Sequence, residues 1–553
     1  MTEAFSSACP STAGLWRCVR SLRRGSVGVN MQFHPGEPSQ PRPVLEEPDL
    51  EVTDWLLPVP GSWAEVEFGG AGLGDIRRRD RLVRIAHALA ARPSSSIPSA
   101  MPEMAEWRGC YRFFDNPNVT AEAILAPHIQ ATHRRLQLAS LTSPAEKLLV
   151  LGVQDTCYLD FTTHPATTDL GPLSVSSLQG LVMHTTLAML PEGVPLGLLG
   201  QEVWARDPEC YGQGGPDDHR RKPSDQKESF KWIQGFRAAC RAREQCPEIQ
   251  FLVVGDRESD VFELFAQERQ EGMDLLVRGC WDRRVDHPER YLWSAMATTP
   301  VSGTLTLKVP ARKAPLKTVG SKQKVDRAAR VAQLELHFTT LHLKVPTSRR
   351  GKRLPDVPLQ VVWAVEKLDE RQPKGGLPEG VERIEWMLLT TMPVNSVDDA
   401  IQVLQWYCCR WGIEIWHKVL KSGCKFEQRQ LQTAQRLQRL LPVLAVIAWR
   451  IHLAAMISRT TPEVSCTLLL EEMEWKALYC AIHKVKEAPA EPPPVGEAVR
   501  WIARLGGFLG RKGDGHPGVT TLWRGMAHLA DLTEMYRIMT DSESLYVGSC
   551  GSG

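Results

Sequence analysis

Long apolar runs are missing from this sequence. No stretch of 18 apolar residues occurs, so no transmembrane helix and no membrane partner are expected. The first residues carry no apolar segment of the kind that marks a secretory signal. The 14 cysteines show no repeated CxxC and no Cys/His set at zinc-finger spacing, and Cys408 and Cys409 are adjacent and ill placed to pair with each other. Reduced thiols in a cytosol are the expectation. A formal net charge of only +2 excludes an argument about partners from total charge. Residues 1–60 lack any sustained period and are rich in Pro, Ser, Gly and Arg; PGEPSQPRPVLEEPDLE cannot bury enough to offset its ordering entropy. A disordered extension is predicted there, with Met31 as an alternative start.

What is present is ordinary globular composition, 43% hydrophobic and 24% charged over 553 residues, long enough for two to four domains. From Trp63 the chain becomes periodic. GDIRRRDRLVRIAHALAARP reads as a helix from Asp75 with Leu82, Ile85, Ala86 and Leu89 on one face and Arg77, Arg78 and Arg81 nearby. A second helix, a turn at Asn116-Pro117-Asn118 and a third helix capped by Thr120 follow. A small helical module with an arginine face suits nucleic acid; a solvated basic helix is the plain alternative.

KLLVLGVQDT is a continuous apolar run that reads as a buried strand ending in an acid, Asp155. LQGLVMHTTLAML and VPLGLLGQEVWA suggest a hairpin around Pro191-Glu192-Gly193, and SFKWIQGFRAACRAR a helix. EIQFLVVGDRESDVFELFAQ repeats the device: a strand, an acid (Asp256), then a helix. The alternation predicts an α/β core. Residues 283–380 read instead as alternating strands separated by basic loops. Lys308 to Arg353 holds 13 Lys or Arg against 2 Asp or Glu, a net of +11, fit for a phosphate backbone or merely for a solubilising edge. IEWMLLTTMPV returns to strand character, LQRLLPVLAVIAWRIHLAAMI reads as a core helix despite Pro442, and a helical tail follows the Pro-rich EAPAEPPPVGE.

WYCCRWGIEIWHKVLK, residues 406–421, draws these parts together. Read as one helix from Tyr407, it sets Arg410, Glu414 and Lys421 within about 60° of Tyr407. A polar strip in an otherwise apolar helix predicts a cleft with paired charge, although an Arg410–Glu414 pair on a solvated face has the same spacing. Asp155, Asp256 and Glu414 together would need a counter-charge. Mg²⁺, with Mn²⁺ as a substitute, supplies one and clamps an in-line phosphoryl displacement.

Tyr407, Arg410, Glu414 and Lys421 stand at Tyr-x2-Arg-x3-Glu-x6-Lys spacing, and QDT around Asp155 and DRESD around Asp256 accompany them. In these motifs, and in GDIRRRDRL, YRFFDNPNVTAEAI and ARLGGFLGRK, the chain resembles the cut-and-paste DDE transposases of bacterial insertion sequences, the insertion sequence four family, over roughly residues 60–540. Gly412, Ile415 and the extension 1–60 depart from the family pattern. The resemblance implies an α/β, ribonuclease-H-like catalytic core over 136–460 with a β-strand insertion at about 283–380, an N-terminal helical DNA-binding domain over 61–135 and a C-terminal helical dimerisation domain over 461–545. It implies a cytoplasmic, nucleoid-associated protein that acts on double-stranded DNA as a homodimer, cleaving element ends through a hairpin and joining 3′ ends to target. Asp155, Asp256 and Glu414 would hold the metal. Arg410 and Lys421 would contact phosphates, Tyr407 would brace the backbone, Arg278 would touch DNA or form an ion pair, and Trp386 would take a flipped base. A silent or domesticated DNA-binding copy and a nuclease without strand transfer remain the alternatives.

Overall fold

Side-chain caps fix where the first helices begin. In the computed structural model, which describes residues 62–143, 146–209, 211, 223–309, 329–347, 354–368 and 383–547, Ser62 opens α1 (Trp63–Phe68) with a reciprocal capping box. Asp75 opens α2 (Ile76–Ala91), its Oδ1 accepting from the Arg77 amide at 2.9 Å. Leu82, Ile85, Ala86 and Leu89 are its buried face, as the spacing predicts. After α3 (Met104–Asp115) the Asn118 amide donates to Asn116 Oδ1 at 2.9 Å, closing the expected turn. Thr120 caps α4 (Ala121–Thr142) through the Ala123 amide at 3.1 Å.

Strands β1 (Leu148–Asp160), β2 (Gly171–Pro172), β3 (Gln179–Met189) and β4 (Pro195–Trp204) come next. The β3–β4 turn falls at Pro191-Glu192-Gly193, with Gly193 at φ +88°, a conformation that a side chain would resist. Then follow α5 (Phe230–Gln245), β5 (Ile249–Gly255), β6 (Met273–Arg278), α6 (Leu292–Thr298), β7 (Gly303–Val309), β8 (Arg330–Leu343), β9 (Val357–Glu366) and β10 (Glu385–Thr390). The chain continues through α7 (Val397–Cys409), α8 (Trp411–Lys418), α9 (Ala434–Thr460), α10 (Glu472–His483), α11 (Val495–Leu505) and α12 (Val519–Val547). The extension 1–60 and the loop cations Arg349, Arg350, Lys352 and Arg353 lie outside the described residues.

The described residues form two compact units, one of 62–254, Arg269–Met273 and 412–547, the other of Gly255–Glu268 and Asp274–Trp411. In the first, β3 pairs antiparallel with β1, β2 and β4, while β1 pairs parallel with β5. A parallel neighbour needs a crossover, which α5 supplies by packing on β1, β3 and β4. α9 is long and apolar enough to cross a membrane, but 94% of its apolar window is buried within the protein, so it is the core helix that the sequence predicts. α11 and α12 touch backbone to backbone at two glycines. A Cβ on Gly525 would stand 1.8 Å from the Ile502 carbonyl oxygen, and one on Gly506 1.9 Å from that of Thr521.

The second unit holds an antiparallel sheet in the order β6-β10-β9-β8-β7. The strands expected as an insertion are therefore hydrogen-bonded to β10, the strand expected in the core. β9 is buried along most of its length and pairs on both edges. Leu307, Val309, Ala332 and Leu334 form an apolar cluster at the β7–β8 end.

Candidate active site

Asp155 does not end its strand. β1 runs on to Asp160, because its pairing with β3 continues from Asp155↔Thr185 to Asp160↔Gly180. On the other edge the pairing with β5 stops at Val153↔Val254. Asp155 thus sits just where β1 outruns its parallel neighbour. Its Oδ1 accepts from the Thr156 amide at 2.9 Å, and its Oδ2 lies 3.8 Å from His417 Nδ1. Gln154 and Thr156 point to the opposite face. There the Gln154 amide nitrogen donates to His184 Nε2 at 3.0 Å, and His184 Nδ1 lies 3.0 Å from Thr156 Oγ1. Burial, then Lys231 and His417, hold the His184 pKa well below its ordinary value, so this support for β1 is neutral.

The stretch 406–421 is not one regular helix. α7 ends at Cys409, Arg410 caps it, α8 restarts at Trp411, and a π-type turn spans Val419–Gly423. In that turn the Cys424 amide donates to the Val419 carbonyl at 2.8 Å, so the turn that carries Lys421 is wider than an α-helical one. Fully buried Ile413 and Trp416 anchor α8, Trp416 Nε1 donating to the Ala445 carbonyl at 3.0 Å. Glu414 is partly exposed, and His417, three residues on, shares its side of the helix. Lys421 Nζ donates to the Tyr158 carbonyl and pairs with Glu427 Oε1, both at 2.8 Å. Glu427 Oε1 also accepts from the Asp160 amide at 2.8 Å, tying the signature lysine to the tail of β1.

In the other unit Asp256 follows β5 directly, and its Oδ1 accepts from the Glu258 amide at 2.9 Å. Arg278, the last residue of β6, donates to the Glu385 carbonyl at 3.0 Å. Burial pushes the Tyr407 pKa up against the pull of Arg410 and Arg278, and Asp256 adds to the rise. Burial likewise lowers the pKa of Arg278. Asp256, Arg278, Tyr407 and Arg410 therefore act on one another inside this unit. Arg410 is buried, with its guanidinium 5.4 Å from the Trp411 ring. Trp386 is 6% exposed and meets Tyr407 edge-on at 5.9 Å. It is not an open platform for a base, because β10 is paired on both edges and buries its side chains.

The N-terminal arginines do not share one free face. Arg77 is exposed and paired with Asp75 at 3.0 Å. Arg78 turns back to the Leu73 carbonyl at 2.8 Å, and Arg81 lies against Gly109 of α3.

Asp155, Glu414 and Lys421 thus belong to one unit, and Asp256, Arg278, Trp386, Tyr407 and Arg410 to the other. Among the described residues, no three His, Cys, Asp or Glu side chains stand close enough together to hold a metal ion. Three partners escaped the sequence reading. His417 could have been found from its i+3 spacing to Glu414. Glu427 and Asp260 carry no local signal, since only the folded chain brings Glu427 to Lys421 and brings the Asp260 carboxylate to the Cys280 and Trp281 amides in the loop after Arg278.

Residues 60–119 match the family described as transposase DNA-binding, and residues 446–544 the transposase Tn5 dimerisation domain. Both regions are similar to domains of transposases. Among solved structures, a cryo-EM structure of the piggyBac transposase synaptic complex with hairpin DNA is similar at a TM-score of 0.31 and 9% identity, covering 71% of this chain and 72% of that one. A likeness that faint carries no argument about mechanism.

Proposed function

We propose that the protein is a DDE transposase of the Tyr-Arg-Glu-Lys group. It binds the inverted ends of its element, cleaves them by metal-dependent phosphoryl transfer through a hairpin, and joins the 3′ ends to target DNA. The observation that carries this reading is the pair of transposase domains at 60–119 and 446–544, which bracket both aspartates and the complete signature. A ribonuclease-H-like core is supported by the mixed sheet, in which an antiparallel β4-β3-β1 set is joined to parallel β5 by the α5 crossover. The partners are double-stranded DNA and a second copy of the chain.

Asp155, Asp256 and Glu414 are partly exposed oxygen donors, the class that Mg²⁺ and Mn²⁺ take. They would hold the ion. The bound ion would activate the attacking oxygen and stabilise the leaving one. Arg278 and Arg410 would meet phosphates beside Asp256, while Tyr407 would brace a backbone contact. Lys421 would exchange Glu427 for a phosphate.

The test uses duplexes built from the DNA that flanks the gene. Full-length protein with Mg²⁺ nicks them, forms hairpins and joins 3′ ends. Asp155→Ala, Asp256→Ala and Glu414→Ala bind with unchanged affinity and do not cut. Robust cleavage by Asp256→Ala would remove it from the centre, and cleavage without joining would make the protein a nuclease.

A further inference from the structure

Trp281 is 63% exposed, more than any other tryptophan among the described residues. Single exposed apolar side chains are common and carry no meaning alone. This one stands on a loop that is held rigid. The Asp260 side chain is fully buried, and its Oδ2 accepts from the Cys280 amide at 2.8 Å and the Trp281 amide at 3.0 Å. Its Oδ1 accepts from Arg283 Nε at 2.6 Å, and Arg283 Nη2 donates to the Asp260 carbonyl. The Arg283 amide donates back to the Trp281 carbonyl at 2.9 Å. Cys280 Sγ donates to the Arg257 carbonyl at 3.2 Å, which fastens the loop to the residue after Asp256.

A buried carboxylate spent on two loop amides fixes the backbone on both sides of an exposed ring. A ring fixed in this way loses little further freedom on binding a flat partner. The surroundings favour an anionic partner. Arg278 lies three residues before Trp281, and Arg257 and Arg410 both press on the Arg278 charge. Phosphate complements that charge and a base complements the ring. Trp386, by contrast, would have to leave its packing against Tyr407 before it could stack on anything.

We infer that Trp281, clamped by Asp260 and Arg283, is the stacking platform for an unpaired DNA base next to the cleavage centre. This rests on the transposase reading. The ring recovers the stacking that a base loses when the strand bends, and it does so without rearrangement of the protein.

The test compares full-length wild type, Trp281→Ala and Trp281→Phe in Ca²⁺, so that nothing is cut. The probes are a fully paired end duplex and the same duplex with one unpaired 2-aminopurine, moved base by base through the end. Wild type prefers one unpaired position and alters its fluorescence. Trp281→Ala binds that probe about tenfold more weakly, loses the fluorescence change and binds the paired duplex as before. Trp281→Phe keeps most of both, and all three proteins unfold at the same urea midpoint. Unchanged binding of every probe by Trp281→Ala would overturn the inference alone. So would an equal loss on paired and unpaired probes, or loss of subunit pairing with DNA affinity intact, which would make the ring a protein contact. Wild type that bound neither duplex would overturn the transposase reading and this inference with it.

Discussion

Replacing Glu67 by Gln should unfasten the region that matches the transposase DNA-binding family from strand β4. Glu67 on α1 is 4% exposed and holds two partners from α4: Arg135 Nη1 at 2.7 Å and His128 Nδ1 at 2.5 Å. Both reach on to β4. His128 Nε2 accepts from the Leu198 amide at 3.0 Å, and Arg135 Nε donates to the Leu196 carbonyl at 2.6 Å. Burial alone would raise the Glu67 pKa, but Arg135 and His128 outweigh it and hold the carboxyl at about 2. A carboxyl depressed from 4.5 to about 2 contributes roughly 3 kcal/mol above its unfolded pKa, and that stability is lost as pH falls from about 4.5 towards 2. Burial lowers the His128 pKa below 6.5, so protonation there favours the unfolded chain and erodes stability from about pH 6.5 downward. Both groups therefore weaken the fold in acid. Glu67→Gln keeps the shape but leaves Arg135 buried without a counter-charge, at a cost of about 3–5 kcal/mol. Urea unfolding between pH 2 and 8, with end binding measured at neutral pH, is the assay. The variant should lose that stability at neutral pH, show a flatter acid limb and lose end binding. Glu67→Leu with Arg135→Met should recover much of the loss. A single variant within 1 kcal/mol of wild type, or a double no better than the single, would refute the argument.

Trp386→Ala should cost about 3–5 kcal/mol and depress nicking and hairpin formation together, because the ring is buried against Tyr407. Intact stability with a selective hairpin defect would return it to the role of base acceptor. Gly525→Ala should separate α11 from α12, since its Cβ would strike the Ile502 carbonyl; loss of the paired-end complex with single-end binding intact is the expected readout. Neutralising Arg349, Arg350, Lys352 and Arg353 should flatten the salt dependence of DNA binding by about 0.9 for each phosphate that these cations meet. An unchanged slope would leave these cations as solvated loops.

Local chemistry was legible wherever it was self-sufficient. Asp75, Thr120 and the Asn116 turn each satisfy amides two or three residues away, so caps and turn could be read from neighbours in sequence. The buried face of α2 and the burial of α9 follow from composition and period. Strand ends were less legible, because they depend on which neighbour continues to pair. An apolar run stops near Asp155, yet β3 carries β1 five residues further. At Asp155 it is the partner on one edge that ends, not the strand. Where the arginines of α2 are held was illegible for a related reason. Period places side chains on a face, but Leu73, Asp75 and Gly109 decide where Arg78, Arg77 and Arg81 are held.

The signature itself shows how far spacing reaches. A single helix would hold Tyr407, Arg410, Glu414 and Lys421 in one rigid row. The chain instead breaks at Arg410 and widens at Val419. The first break leaves Tyr407 and Arg410 with Asp256 and Arg278 and leaves Glu414 with Asp155 and His417. The second carries Lys421, which meets the tail of β1 at the Tyr158 carbonyl and pairs with Glu427. The spacing is thus kept by two breaks rather than by one helix. Each aspartate shares its unit with a part of the motif. A substitution that straightened the π-type turn, such as deletion of Ser422, would test this. It should restore α-helical spacing, release Lys421 from Tyr158 and Glu427, and lower cleavage while end binding by residues 60–119 persists. Full cleavage by the deletion variant would mean that the widened turn is incidental to the chemistry.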